Sequence, residues 1–97
     1  MTQERTKDEI YRGAVDEILH YMWDPIGVAG IPAARDEYTN YVGEVVEMVS
    51  KGSNLESIAQ LLNNIAVQRM GLSPNIANCI DVAKSLIDWY EAVNEMT

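Results

Sequence analysis

The sequence predicts an all-α fold, a single-domain four-helix bundle. Three observations point there. Apolar residues recur at spacings of three and four along most of the chain, which is the helical period. No stretch alternates apolar and polar residues with the two-residue period of a strand. The joints around 50–54 and 71–74 are short and carry helix-start and helix-stop residues, so neighbouring helices run antiparallel. With 97 residues, 47% hydrophobic and 23% charged, the whole span 1–97 reads as one globular domain. A chain of this size buries roughly 60–70% of its unfolded surface.

The first helix opens at Thr6-Lys7-Asp8-Glu9, where Thr6 caps and Glu9 completes a capping box. Ile10, Ala14, Ile18, Tyr21 and Met22 form its predicted core stripe, and Tyr11, Val15 and Leu19 widen it. Pro25 ends it, because the residue before a proline avoids the helical region. A second helix is expected from Pro32, a good first-turn residue, to Gly52. Tyr38, Val42, Val45 and Val49 make its apolar stripe, with Asp36, Glu37, Glu44 and Glu47 mostly off it. Ser53 and Glu56 then read as a second capping box. Leu55, Ile58, Leu62, Ile65 and Ala66 carry the third helix, with Ala59 and Leu61 beside them, and Gly71 closes it. The fourth helix is expected to start with Ser73 as cap and Pro74 in the first turn, and to run to about Glu95. It offers two apolar stripes: Ile76, Ile80, Ala83, Ile87 and Tyr90, and beside them Val82, Leu86, Trp89 and Val93. Such a helix is expected to be buried on two sides.

An irregular Pro/Gly loop, beginning Trp23-Asp24-Pro25-Ile26-Gly27, separates the first two helices. Asp24-Pro25-Ile26-Gly27 matches a type I turn, with Asp in first place, Pro in second and Gly in fourth. The Asp24 carboxylate can accept a backbone N–H and hold the turn, and an asparagine would serve the same bond. The turn leaves Ile26, Val28, Ala29 and Ile31 unexplained, since a plain surface loop is polar. They either fold under the helices as a plug, the commoner outcome in a small core, or form an exposed patch that marks a partner site. The pattern Trp23 to Gly27, followed after a gap by Asp36-Glu37-Tyr38, resembles a group of short bacterial proteins of unknown function. The resemblance covers about the first half of the chain. It implies a small helical domain and brings no catalytic residues.

Composition excludes more than it selects. Seven basic residues against fifteen acidic ones leave a net charge of −8, and the basic ones are scattered. Phosphate recognition needs clustered Lys and Arg, so neither nucleic acid nor an anionic membrane is an expected partner. No window approaches the ~20 apolar residues that span a bilayer. The opening turn is polar and charged, unlike a secretory signal. One cysteine, Cys79, cannot pair within the chain, which fits a cytoplasmic setting. It sits beside the core stripe with no electropositive neighbour to lower its pKa. His20 is the only histidine. With Glu17 it makes half of the Glu-x-x-His metal motif, but a di-metal site needs a second copy. No metal, cofactor or catalytic residue is expected, since no nucleophile motif or phosphate loop is present.

A protein that acts by binding is therefore the expected class. A small acidic domain without catalytic machinery suits an immunity protein or antitoxin-like inhibitor, which occludes a basic toxin domain such as a nuclease. Complementary charge speeds such an encounter, and a few aromatic anchors supply most of the affinity. The candidate contact residues are Asp36, Glu37, Tyr38, Tyr41, Glu44 and Glu47 on the second helix, with Trp23 to Gly27 as a candidate loop site. The alternative is a homodimeric structural or regulatory adaptor, suggested by the wide apolar faces of the fourth helix.

Overall fold

The computed structural model describes residues 5–96. The opening residues 1–4, part of the stretch read against a targeting signal, lie outside that range. Four α-helices make the bundle: α1 (Lys7–Ile18), α2 (Val42–Ser50), α3 (Leu55–Asn64) and α4 (Ile76–Asn94). No strand occurs among the described residues. Consecutive helices pack side by side, and α4 closes the ring against α1. α4 also touches α2, so the longest helix contacts every other one. Val15 and Leu19, Val45, Ile58 and Leu62, and Val82 and Leu86 meet in the shared core. The Tyr11 hydroxyl donates to the Leu86 carbonyl at 2.7 Å, which ties α1 to α4 inside that core.

The α1 start is the expected one. Thr6 Oγ1 accepts the Glu9 N–H at 3.1 Å, and the Glu9 carboxylate reaches back to the Thr6 N–H. The inward face differs from expectation. Tyr11, Val15, Ile18, Leu19 and Trp23 are buried, while Tyr21 and Met22 are exposed. The shift is already present in α1, where Ile10 and Ala14 are only half-buried beside Tyr11 and Val15, and a π-helical turn at Leu19–Trp23 adds to it. A π-turn uses about one residue more than an α-turn. The apolar phase slips by one position, and Trp23 takes the inward place that regular spacing assigns to Met22.

The second helix is shorter than predicted. Pro32–Ala34 and Thr39–Tyr41 are separate 3₁₀ turns, and regular α-helix begins only at Val42. The expected stripe survives this, since Tyr38, Val42, Val45 and Val49 are all buried. Two caps are corrected. Asn54, not Ser53, starts α3, its side chain accepting the Ser57 N–H at 2.8 Å. The Ser53 hydroxyl turns to the Met48 sulfur instead. Asn75, not Ser73, starts α4 by accepting the Asn78 N–H at 3.3 Å. In both cases a side-chain amide one or two residues downstream occupies the capping geometry. Gly52 closes α2 with positive φ, as expected, and Gly71 does the same after a π-helical turn, Ile65–Arg69, that continues α3. Finally, α4 has one buried face, not two. Cys79, Val82, Ala83, Leu86 and Val93 are buried, Ile80, Ile87 and Tyr90 flank them, and Ile76 and Trp89 face outward.

Candidate functional site

The loop after α1 is organised by one carboxylate. Asp24 adopts a left-handed conformation, φ 31°, which Asp tolerates better than most residues. Its Oδ1 accepts the Gly27 N–H at 3.1 Å and the Val28 N–H at 2.8 Å, and its Oδ2 accepts the Ala29 N–H at 3.0 Å. The Tyr38 hydroxyl donates to Oδ1 at 2.7 Å and accepts the Ile26 N–H at 3.1 Å. Burial alone would raise the Asp24 pKa. The Tyr38 hydroxyl and the three backbone donors outweigh it and hold the carboxyl below its ordinary value. The same burial, with the Asp24 charge beside it, pushes the Tyr38 hydroxyl upward, so it stays a donor.

This network fixes the surroundings of several of the candidate residues. Tyr38 is buried, between the loop and the Trp23 and His20 rings, and offers no surface to a partner. Trp23 is buried too. Of the expected contact residues on the second helix, Tyr41 is half-buried against Trp23, and Glu44 is held by Arg69 at 2.6 and 3.1 Å. That pairing holds the Glu44 carboxyl below its ordinary value. Asp36, Glu37 and Glu47 remain exposed. The six residues therefore do not make one contact face, because the chain before Val42 is not a continuous helix.

His20 is buried, its ring edge-on to Tyr21, with no hydrogen-bond partner at Nδ1. Glu17 turns away from it to Arg35, 3.0 Å off. The Glu-x-x-His pair is thus split. No group of three or more His, Cys, Asp or Glu side chains suited to a metal ion occurs among the described residues. Cys79 is a buried thiol whose pKa is raised by burial, with the neighbouring Trp23 opposing in part. Among the described residues no helix is long and apolar enough to cross a membrane.

The surface that stands out lies elsewhere. Tyr21 is 57% exposed, Met22 45%, Ile31 50% and Trp89 51%. Tyr21 is the wall between two grooves. One, about 300 Å³, runs between α1 and α4 and is lined by Ala14, Glu17, Ile18, Tyr21, Met22 and Trp89. The other, about 470 Å³, lies between Tyr21 and the loop segment Gly30, Ile31 and Pro32, with Arg35 at its edge. Arg35 stacks on the Tyr21 ring at 5.5 Å and pairs with Asp16 and Glu17, which fixes the wall in place. The loop residues Ile26, Ala29 and Ile31 are exposed and only Val28 reaches the core, so of the two alternatives the loop takes the exposed one.

Sequence reasoning missed Tyr21, Met22 and Trp89, because their spacing places them on core stripes. A signal for Tyr21 and Met22 was present in the following residue: two aromatic or thioether side chains and Trp23 in succession cannot all point inward from one helix. No known family model, curated protein or solved structure matches the chain.

Proposed function

We propose that this chain is a small acidic protein-binding domain that inhibits a basic toxin domain by occlusion, in the manner of an immunity protein or antitoxin, in a cytoplasmic setting. The observation that carries the reading is the exposed apolar surface around Tyr21. Four large apolar side chains line two adjoining grooves at more than 40% exposure each. Contiguous patches of this kind mark interaction sites, and Tyr and Trp are the residues that most often anchor them. The net charge of −8 supports a basic partner, because opposite potentials speed the encounter. The contact surface is accordingly moved from the second helix to the Tyr21 face, with Asp36, Glu37 and Glu47 as outlying charges that attract the partner from a distance.

The test is affinity capture from the native host with wild type and with Tyr21→Ala/Trp89→Ala. A basic protein held by wild type, lost by the double variant, and associating more slowly as salt rises is the expected result. Capture that ignores both substitutions overturns the surface, and a partner that is acidic overturns the charge argument. A dimer of this chain in sedimentation equilibrium, dissociated by Trp89→Ala, would transfer the surface to the adaptor reading.

A further inference from the structure

The groove between α1 and α4 has an apolar lining, with a row of carboxylates on the outward face of α4 beyond it, and we infer that it takes a cationic amphipathic helix of the partner protein, lying along α4. The inference rests on the protein-binding reading above and names the shape and charge of what binds. Ala14, Ile18 and Met22 from α1 and its π-turn face Trp89 across the groove. Glu17 borders it on the α1 side, where it is already paired with Arg35, so the charge available to an occupant is on α4. On the α4 side Asp81, Asp88 and Glu95 are exposed and follow one another at intervals of seven residues. That interval returns to nearly the same line on a helix, drifting by only about 20° per repeat. The three carboxylates, the last at the C-cap, thus form a row on the outward face of α4, about 100° round the helix from Trp89, with steps of about 10 Å. Within α4 the one cation is Lys84, against Asp81, Asp88 and Glu91.

A helix is the occupant whose own repeat matches this row. Apolar residues at i, i+3 and i+4 would fill the floor, and Lys or Arg at intervals of seven would face the three carboxylates. The groove meets α4 at Trp89, and α4 itself is 19 residues or about 28 Å long, so an occupant seated there can continue along its outward face. Met22 and Trp89 suit such a floor. A thioether adapts its shape to different side chains, and an indole attracts a cation over its face. A second copy of this acidic chain would set like charges together along the row, and an anionic membrane would meet the same repulsion.

The probe is an 18-residue Leu/Lys amphipathic peptide, its binding followed by isothermal titration calorimetry, beside a peptide of the same composition with the order scrambled so that no face is apolar. Two triple variants remove the same charge in different places. One is Asp81→Asn/Asp88→Asn/Glu95→Gln on the row; the other is Asp36→Asn/Glu37→Gln/Glu47→Gln away from it. Tight binding of the amphipathic peptide only, weakened about tenfold or more by the row variant and by Trp89→Ala but less than about threefold by the distant one, is the expected result. Equal weakening by both triple variants reduces the effect to overall charge and overturns the inference, as does equal binding of the scrambled peptide. Failure of the peptide to bind, while Tyr21→Ala/Trp89→Ala still abolishes capture of the native partner, would remove the helical occupant and leave the surface standing. Far-ultraviolet circular dichroism checks that each variant keeps its helices.

Discussion

The Asp24 carboxylate accepts three backbone N–H groups and the Tyr38 hydroxyl through two oxygens. An asparagine offers one oxygen and turns an N–H₂ toward one set of those donors. Asp24→Asn is therefore expected to destabilise the domain by about 1–2 kcal/mol, contrary to the turn argument from sequence, since the Ala29 N–H then faces an N–H₂ and the remaining bonds lose their charged acceptor. Tyr38→Phe should fall in the same range, because it strands the Ile26 N–H as well. Urea midpoints measure both, and an unchanged midpoint in Asp24→Asn would show that the turn needs a single bond only. The pH dependence follows from the same geometry. The folded-state Asp24 carboxyl lies below its ordinary value of 3.8, so its contribution is complete above that value and is lost as pH falls through the lower, folded one. The acid limb of the stability curve should become shallower in Asp24→Asn, and a limb unchanged in slope would assign acid unfolding to other carboxylates, Glu44 first among them.

The start of α3 distinguishes two readings of the same five residues. Ser53 fits the capping-box spacing with Glu56, yet Asn54 makes the bond. Asn54→Ala should lower stability by about 1 kcal/mol, and Ser53→Ala by less than half of that. Thermal or urea midpoints of the two variants should rank in that order; the reverse order would return the cap to Ser53. Gly27 is a different kind of position. Its φ is +80°, and a Cβ there would meet nothing within 4 Å. Gly27→Val should thus be destabilising through backbone strain alone, by about 1–2 kcal/mol, with no repacking of neighbours in the spectrum of the folded state. Gly27→Asn, which tolerates the left-handed region, should recover most of that loss.

The two tryptophans separate the core from the proposed contact surface. Trp23 is 3% exposed and Trp89 51%. Trp23→Ala should cost about 3–5 kcal/mol, as large-to-small core changes do, whereas Trp89→Ala should leave the thermal midpoint nearly unchanged. Acrylamide should quench Trp89 in the folded protein and spare Trp23. Equal stability losses would mean that Trp89 packs as a core residue and that the groove beside it is closed. Of the acidic side chains first assigned to a partner, Glu44 is better left in place: its pairing with Arg69 joins α2 to the turn after α3, although both groups are exposed and the solvent screens the pair. Removing Glu37 and Glu47 instead probes long-range attraction without touching a contact inside the fold.

The helical period, the capping box at Thr6 and the closing glycines at 52 and 71 are local properties, and local properties can be read from neighbouring residues. They determined the all-α class, the number of helices and the positions of two of the three joints. What the sequence could not determine is which of several apolar positions points inward, because that depends on helix phase and on what packs opposite. One π-turn at Leu19–Trp23 moves Trp23 inward and Tyr21 and Met22 outward. Tyr38 looked like a surface anchor until the loop folded back and placed Asp24 against its hydroxyl, fourteen residues away in the chain. Trp89 sits on an apolar stripe, yet α3 covers one side of α4 and α1 only part of the other, so the indole stays in the open groove. Each of these outcomes is fixed by contacts between distant segments, whose energies no window of adjacent residues contains.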